Sequence, residues 1–252
     1  MKIDRLLLAL VSLAAALVAL AGGAASARAQ VYVIESSVPD IKVGAQLAMA
    51  DSLSIPAGAA IRAVLPSGKT QTVKGPYKGP VADLAKGQEI NEGVVGWLKN
   101  IMQTGGATEA TPGATRSAGA PARPRSMARF SWANVPTSID GNVCVGKEAK
   151  LQLARAPVPV AQRVAVVDVD SAARAEVEWA VSGDLVAWPA GVAVRPGGTY
   201  YLLVEGRPRR QLKLEVLDTL PSEDDVLAEL HKRGCRHQFE AFVREKLAAA
   251  KP

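Results

Sequence analysis

Three stretches of the chain alternate apolar and polar residues with period two. Leu151 and Leu153 alternate with Lys150 and Gln152. Ala175, Val177 and Trp179 alternate with Arg174, Glu176 and Glu178, and Leu212, Leu214 and Val216 with Gln211, Lys213 and Glu215. Successive side chains of a strand point to opposite faces, so each stretch buries one face and wets the other. Across residues 128–219 about eight such runs are punctuated by glycine and proline. The breaks are Asp140-Gly141, Ser182-Gly183, Pro196-Gly197-Gly198 and Gly206-Arg207-Pro208. That spacing predicts an antiparallel sandwich, with its clearest hairpin joining Thr199–Glu205 to Arg209–Asp218.

Residues 30–103 read as a first, smaller β unit. Val31 to Glu35 predicts a short strand. Ile61–Leu65 and Lys69–Val73 predict a hairpin around Pro66-Ser67-Gly68, and Gly75-Pro76 and Gly79-Pro80 punctuate the chain beyond it. Val94, Val95, Leu98, Ile101 and Met102 recur at helical spacing and predict a short amphipathic helix over Asn91–Met102, despite Gly93 and Gly96. Residues 104–127 contain almost nothing that burial could offset against the entropy of ordering, and predict a disordered linker. Arg116, Arg123 and Arg125 make it basic.

Residues 220–252 predict a helical tail. Ser222 followed by Glu223, Asp224 and Asp225 reads as a capped helix start, with acidic residues that suit the helix dipole. Leu227, Leu230, Cys235, Phe239, Phe242, Val243 and Leu247 form an apolar stripe that implies packing on the second sheet, with Gly234 as a break or kink. The whole is therefore mainly β: two small β units with a C-terminal helical tail.

The N-terminus changes where such a protein would work. A positively charged head, Met1 to Arg5, precedes an uncharged apolar run from Leu6 to Leu20 and then small residues to Ala29. This is the pattern of a signal peptide, residues 1–29, with cleavage after Ala29 in Ala27-Arg28-Ala29 or two residues earlier after Ala25-Ser26-Ala27. An uncleaved anchor is the alternative, since Leu6 to Ala27 just reaches the length of a spanning helix. The expected location is the periplasm or another exported compartment.

Charge and composition narrow the class further. The chain carries a net charge of +6, which falls to +4 once the leader is removed. This mild excess favours weak attraction to anionic lipid or wall polymer and does not point to nucleic acid. Aromatic residues make up 4% of the chain, little material for stacking single-stranded bases.

Cys144 and Cys235 are the two cysteines. In an oxidising compartment an even pair reads as a disulfide. Closing a loop of about 90 residues would be worth about 4–5 kcal/mol by chain-entropy reckoning. Two buried free thiols are a second reading, and zinc held with His231 and His237 a third. Zinc is opposed by spacing, because His237 points about 200° away from Cys235 on a continuous helix.

Other motifs dissolve on inspection. Gly68-Lys69-Thr70 resembles the end of a phosphate loop, but Ala63 stands where the motif needs glycine. Asp168, Asp170 and Glu176 lack calcium-loop spacing, and Asp168 reads as a strand end. With two histidines, both in the tail, no catalytic triad is indicated. No catalytic, cofactor-binding or metal-binding residue is assigned. Arg207, Arg209 and Arg210 at a hairpin tip are the candidates for an anion or partner contact.

Gly44-Ala45-Gln46-Leu47, Leu53-Ser54-Ile55-Pro56-Ala57-Gly58-Ala59, Ser67-Gly68-Lys69 and Lys74-Gly75-Pro76 resemble the periplasmic FecR-type β domain. The resemblance spans residues 43–76 and implies an extracytoplasmic β scaffold. The family's signalling members carry an anti-sigma segment and a membrane span before this domain, where a signal peptide is expected here. The second unit looks immunoglobulin-like in general pattern. Together these readings lead to an exported, non-enzymatic envelope protein that binds a protein or cell-wall partner, without a cofactor. A hydrolase with a carboxylate-only site and a membrane-anchored structural protein are the alternatives.

Overall fold

The computed structural model describes residues 30–104 and 129–249. The expected leader with its cleavage sites, and nearly all of the basic linker, lie outside the described residues. The fold is mainly β with helices at its C-terminal end.

The first unit comprises β1 (Gln30–Ser36), β2 (Gln46–Ala48), β3 (Ser52–Ile55), β4 (Ala60–Val64), β5 (Thr70–Lys74) and β6 (Tyr77–Pro80). Four of these form an antiparallel sheet in the order β2-β1-β4-β5, while β3 pairs with β6. A 3-10 turn at Val81–Ala85 and helix α1 (Glu92–Thr104) complete the unit. The hairpin and helix fall where the pattern predicts them. The run Val31-Tyr32-Val33-Ile34 has no polar alternation because β1 is buried on both faces. Val31 and Val33 point into the unit's own core, Tyr32 and Ile34 into a second core beyond the sheet.

The second unit contains β7 (Asn134–Pro136), β8 (Gly141–Gly146), β9 (Gln152–Ala154), β10 (Gln162–Asp168), β11 (Arg174–Trp179), β12 (Leu185–Ala187), β13 (Thr199–Val204) and β14 (Arg210–Leu217). A five-stranded sheet, β11-β10-β13-β14-β8, faces a three-stranded one, β12-β9-β7. The core between them centres on Trp179, Tyr200, Leu202, Leu212, Leu214 and Leu153. The expected antiparallel sandwich needs correction here: β8 runs parallel to β14, and β7 parallel to β9. Alternation of apolar residues fixes which face is buried but carries no information about strand direction, so the pattern could not distinguish the two.

The tail forms α2 (Val226–Lys232) and α3 (Arg236–Ala249), separated at Gly234, whose φ of +71° breaks the helix. Six of the seven stripe residues are buried, and Leu247 is partly so. They pack on the second sheet through β8 and also on α1 and β1 of the first unit. One core therefore gathers Tyr32, Ile34, Val64, Val94 and Leu98 from the first unit, Cys144 and Leu217 from the second, and Leu227, Leu230, Phe239 and Val243 from the tail.

Candidate functional site

The junction where tail, first unit and second unit meet is the most elaborated part of the molecule. Cys144 and Cys235 are joined in a disulfide across a sequence separation of 91, with both residues fully buried. This removes the free-thiol reading. It also removes the zinc reading, since both sulfurs are consumed, and no metal-ligating group forms among the described residues. His231 instead packs edge-on against Trp97 of α1 at 4.6 Å between ring centroids. Burial lowers its pKa, and the pKa of His237, from the ordinary imidazole value.

Beside the disulfide, β8 is the edge of its sheet. Edge strands carry unpaired backbone groups that need a partner when covered. Gln238 of α3, itself buried, supplies it: the Cys144 N–H donates to Oε1 at 2.6 Å, and Nε2 donates to the Cys144 carbonyl at 2.7 Å. Two residues along the edge, Asn142 Nδ2 donates to the Arg233 carbonyl at 2.7 Å, and at the other side Gly146 N–H donates to Trp132 O at 2.9 Å. Gln238 lies in the first turn of α3, three residues after Cys235, which immediately precedes the helix. That spacing was the available signal for its role.

The acidic triplet is the main correction to the sequence reading of the tail. The helix begins only at Val226, and Asp225 stands at the N-cap without a side-chain cap bond. Ser222 Oγ bonds Asp225 Oδ2 at 2.7 Å instead of capping a helix. The carboxylates reach across to the first unit. Arg62 Nη1 pairs with Glu223 at 2.8 Å and Nη2 with Asp224 at 2.9 Å, while Lys69 faces Asp225 at 3.5 Å. Lys246 of α3 closes the network on Glu223 at 2.5 Å and Glu35 at 3.6 Å. The hydrogen bond from Lys246, followed by Arg62, holds the Glu223 carboxyl below its usual pKa. The Thr70 N–H, on the open edge of β5, donates to Asp224 O at 2.7 Å.

Two glycines permit the close approach. Gly68, at the hairpin tip with φ +87°, lies where a Cβ would sit 3.1 Å from the Ala228 backbone, and a Cβ on Gly93 would meet His231 Nε2 at 2.4 Å. The Gly68-Lys69-Thr70 segment is thus a hairpin turn seated on α2. Relative magnitudes rank these contacts. A fully buried Leu, Val or Phe contributes about 1.5–3 kcal/mol against exposure, and an exposed ion pair about 0–1 kcal/mol. The apolar core supplies the strength of the junction, and the ion pairs orient it.

The predicted arginine cluster separates on inspection. Arg210 is engaged with Asp140 at 2.7 Å, and the Arg209 guanidinium stacks over the Tyr201 ring at 4.3 Å. Arg207 is exposed and makes no ion pair among the described residues. Asp168 ends β10 as expected; its buried carboxylate accepts the Asp170 and Ser171 N–H groups and pairs with Arg195.

Two depressions open on the first unit. One, of about 580 Å³, is lined by Ser67, Lys69, Gln88, Glu89, Asn91 and Glu92. The other, of about 400 Å³, lies beside Arg62, Thr72 and Lys246. No family model, curated protein or solved structure matches this chain.

Proposed function

We propose that this is an exported, non-enzymatic scaffold of the cell envelope that holds two β units in a fixed mutual orientation and presents them to a protein or cell-wall partner. The clasp carries the reading: one disulfide-anchored tail gathers residues of both units into a shared core between them. A buried core and a disulfide placed at the joint between two modules suit a protein whose task is to present surfaces at a set geometry. The disulfide supports an oxidising compartment, because such bonds persist there and not in the cytosol. The FecR-type resemblance of residues 43–76 supports an extracytoplasmic β scaffold.

The test is crosslinking in the native host with a C-terminal tag, followed by mass spectrometry. One dominant protein, or wall fragments of uniform composition, whose recovery falls when both cysteines are replaced by alanine, would support the scaffold. Recovery that is unaffected by opening the clasp would count against it.

A further inference from the structure

The outer face of the five-stranded sheet is covered at one side only. Val164, Val166, Leu202 and Val204 point into the sandwich core, so the residues between them on β10 and β13 point outward. Towards β8 the tail covers this outer face, and Cys144 there belongs to the junction core. Over β10 and β13 the outward side chains are Ala165, Val167, Tyr201 and Leu203. Val169 extends the row just past β10, where its N–H donates to Thr199 O at 3.0 Å. These five residues enter none of the three cores. Ala165 is buried beneath its neighbours, Val167, Tyr201 and Leu203 are half-buried, and Val169 is 40% exposed. The solvated face of an antiparallel sheet ordinarily turns to polar residues at such positions.

The strand register sets the charges around this apolar strip. Ala165 stands between Glu176 on β11 and Leu203 on β13, and Val167 between Arg174 and Tyr201. Beyond β13 come Gln211 opposite Tyr201 and Lys213 opposite Thr199. Arg209, two residues before Gln211, brings its guanidinium over the Tyr201 ring and so flanks Leu203. Arg163, Arg174, Arg209 and Lys213 are matched on this face by Glu176, Glu178, Glu205 and Glu215, so the face is neutral as a whole. Its signs are not evenly spread. Glu176 and Glu178 lie on the β11 side, Arg209 and Lys213 on the β14 side. Glu178 and Arg209 make no ion pair among the described residues.

A neutral face with an apolar centre and unlike edges complements itself. A two-fold axis running along the strands between β10 and β13 lays the sheet on a second copy and exchanges the two edges. Glu176 of each copy then faces Arg209 of the other. Ala165 faces Leu203 of the other copy and Val167 faces Tyr201, small against large along the axis. We infer that this face is a self-association surface, on which two copies of the chain pack sheet on sheet about such an axis. Isologous contacts of this kind are the commonest in symmetric dimers, and aligned packing is a regular way for two sheets to meet. The apolar strip supplies the strength, and the edge charges fix the register. The face shares no residue with the disulfide or with the Arg62 network, so the inference does not rest on the scaffold reading.

The test is sedimentation velocity of the chain without its leader over a concentration series, where a monomer–dimer equilibrium is expected. L203E is expected to weaken the dimer at least tenfold, and E176R and R209E about tenfold each. The E176R/R209E double swap is expected to restore it. K74E, which reverses an exposed charge on the first unit, should leave it unchanged. Should L203E fail to fold, the swap of exposed charges still decides. A monomer at every concentration, growth beyond two copies, equal loss in K74E, or a double swap no better than the singles would overturn the inference. So would a monomeric chain that crosslinks to a different protein through this face and loses it in L203E, which would give the face to that partner. A dimer alongside partner recovery that ignores the clasp would sink the scaffold reading alone, and a monomer alongside clasp-dependent recovery would sink this inference alone.

Discussion

The side-chain amide of Gln238 pairs with the backbone of Cys144 as a neighbouring strand would, accepting from its N–H and donating to its carbonyl. A helix thereby closes the edge of a sheet. Gln238→Ala leaves two buried backbone groups without partners and is expected to cost about 1–3 kcal/mol for each group orphaned. Gln238→Leu fills the space but restores neither bond, so its urea midpoint should fall as well. A leucine variant as stable as the parent would show that the amide is packing only.

The disulfide beside it closes a long loop between buried positions. The C144A/C235A double variant is expected to lose about 4–5 kcal/mol through the freed entropy of the unfolded chain. Denaturant unfolding should show a lowered midpoint. Mild reductant should leave the folded protein oxidised, because neither sulfur is exposed. Thiol labelling before and after denaturation reads this directly.

Two glycines of α1 should respond in opposite ways to alanine. A Cβ at Gly96 meets nothing within 4 Å, so G96A is expected to stabilise by about 0.5–1 kcal/mol through helix propensity. A Cβ at Gly93 runs into the His231 ring, which is wedged on Trp97 and cannot withdraw freely. G93A is therefore expected to lose that gain and destabilise. Thermal midpoints of the two variants, measured side by side, decide it.

Stability should fall in two stages as pH drops. Burial depresses His231 and is the leading cause at His237 too, where Glu240 and Asp140 oppose it and Arg236 adds to it. Imidazoles kept neutral in the fold favour unfolding once the unfolded chain can protonate, from about pH 6.5 downward until their lower folded values are passed. Glu223 is depressed by Lys246 and then Arg62, and Asp225 by Ser222 and then Lys69. Their contribution is present above the unfolded values near about pH 4 and is lost as pH falls through the lower folded ones. Urea midpoints against pH should show H231Q/H237Q flattening the upper stage alone and E223Q/D225N the lower alone.

The period-two runs, the two hairpins, α1 and the apolar stripe of the tail were all legible in the sequence. Each depends on contacts between near neighbours, or on the requirement that one face leave water. The cysteine pairing was legible as one of three readings, because only two cysteines exist to be joined. What Glu223, Asp224 and Asp225 do was not legible: their local pattern fits a helix start, and Arg62, their partner, lies over 160 residues away on a strand face that reads as solvated. The parallel pairing of β8 with β14 was equally hidden, since alternation is the same in both directions.

The sequence by itself determined which residues must leave water and where the chain must turn, because burial periodicity and turn chemistry are local. Only the tertiary structure decided that the tail would serve both units at once, and that Arg62 would become a clasp residue and Gln238 a stand-in strand. Those relationships depend on which surfaces meet, and no spacing along the chain encodes that.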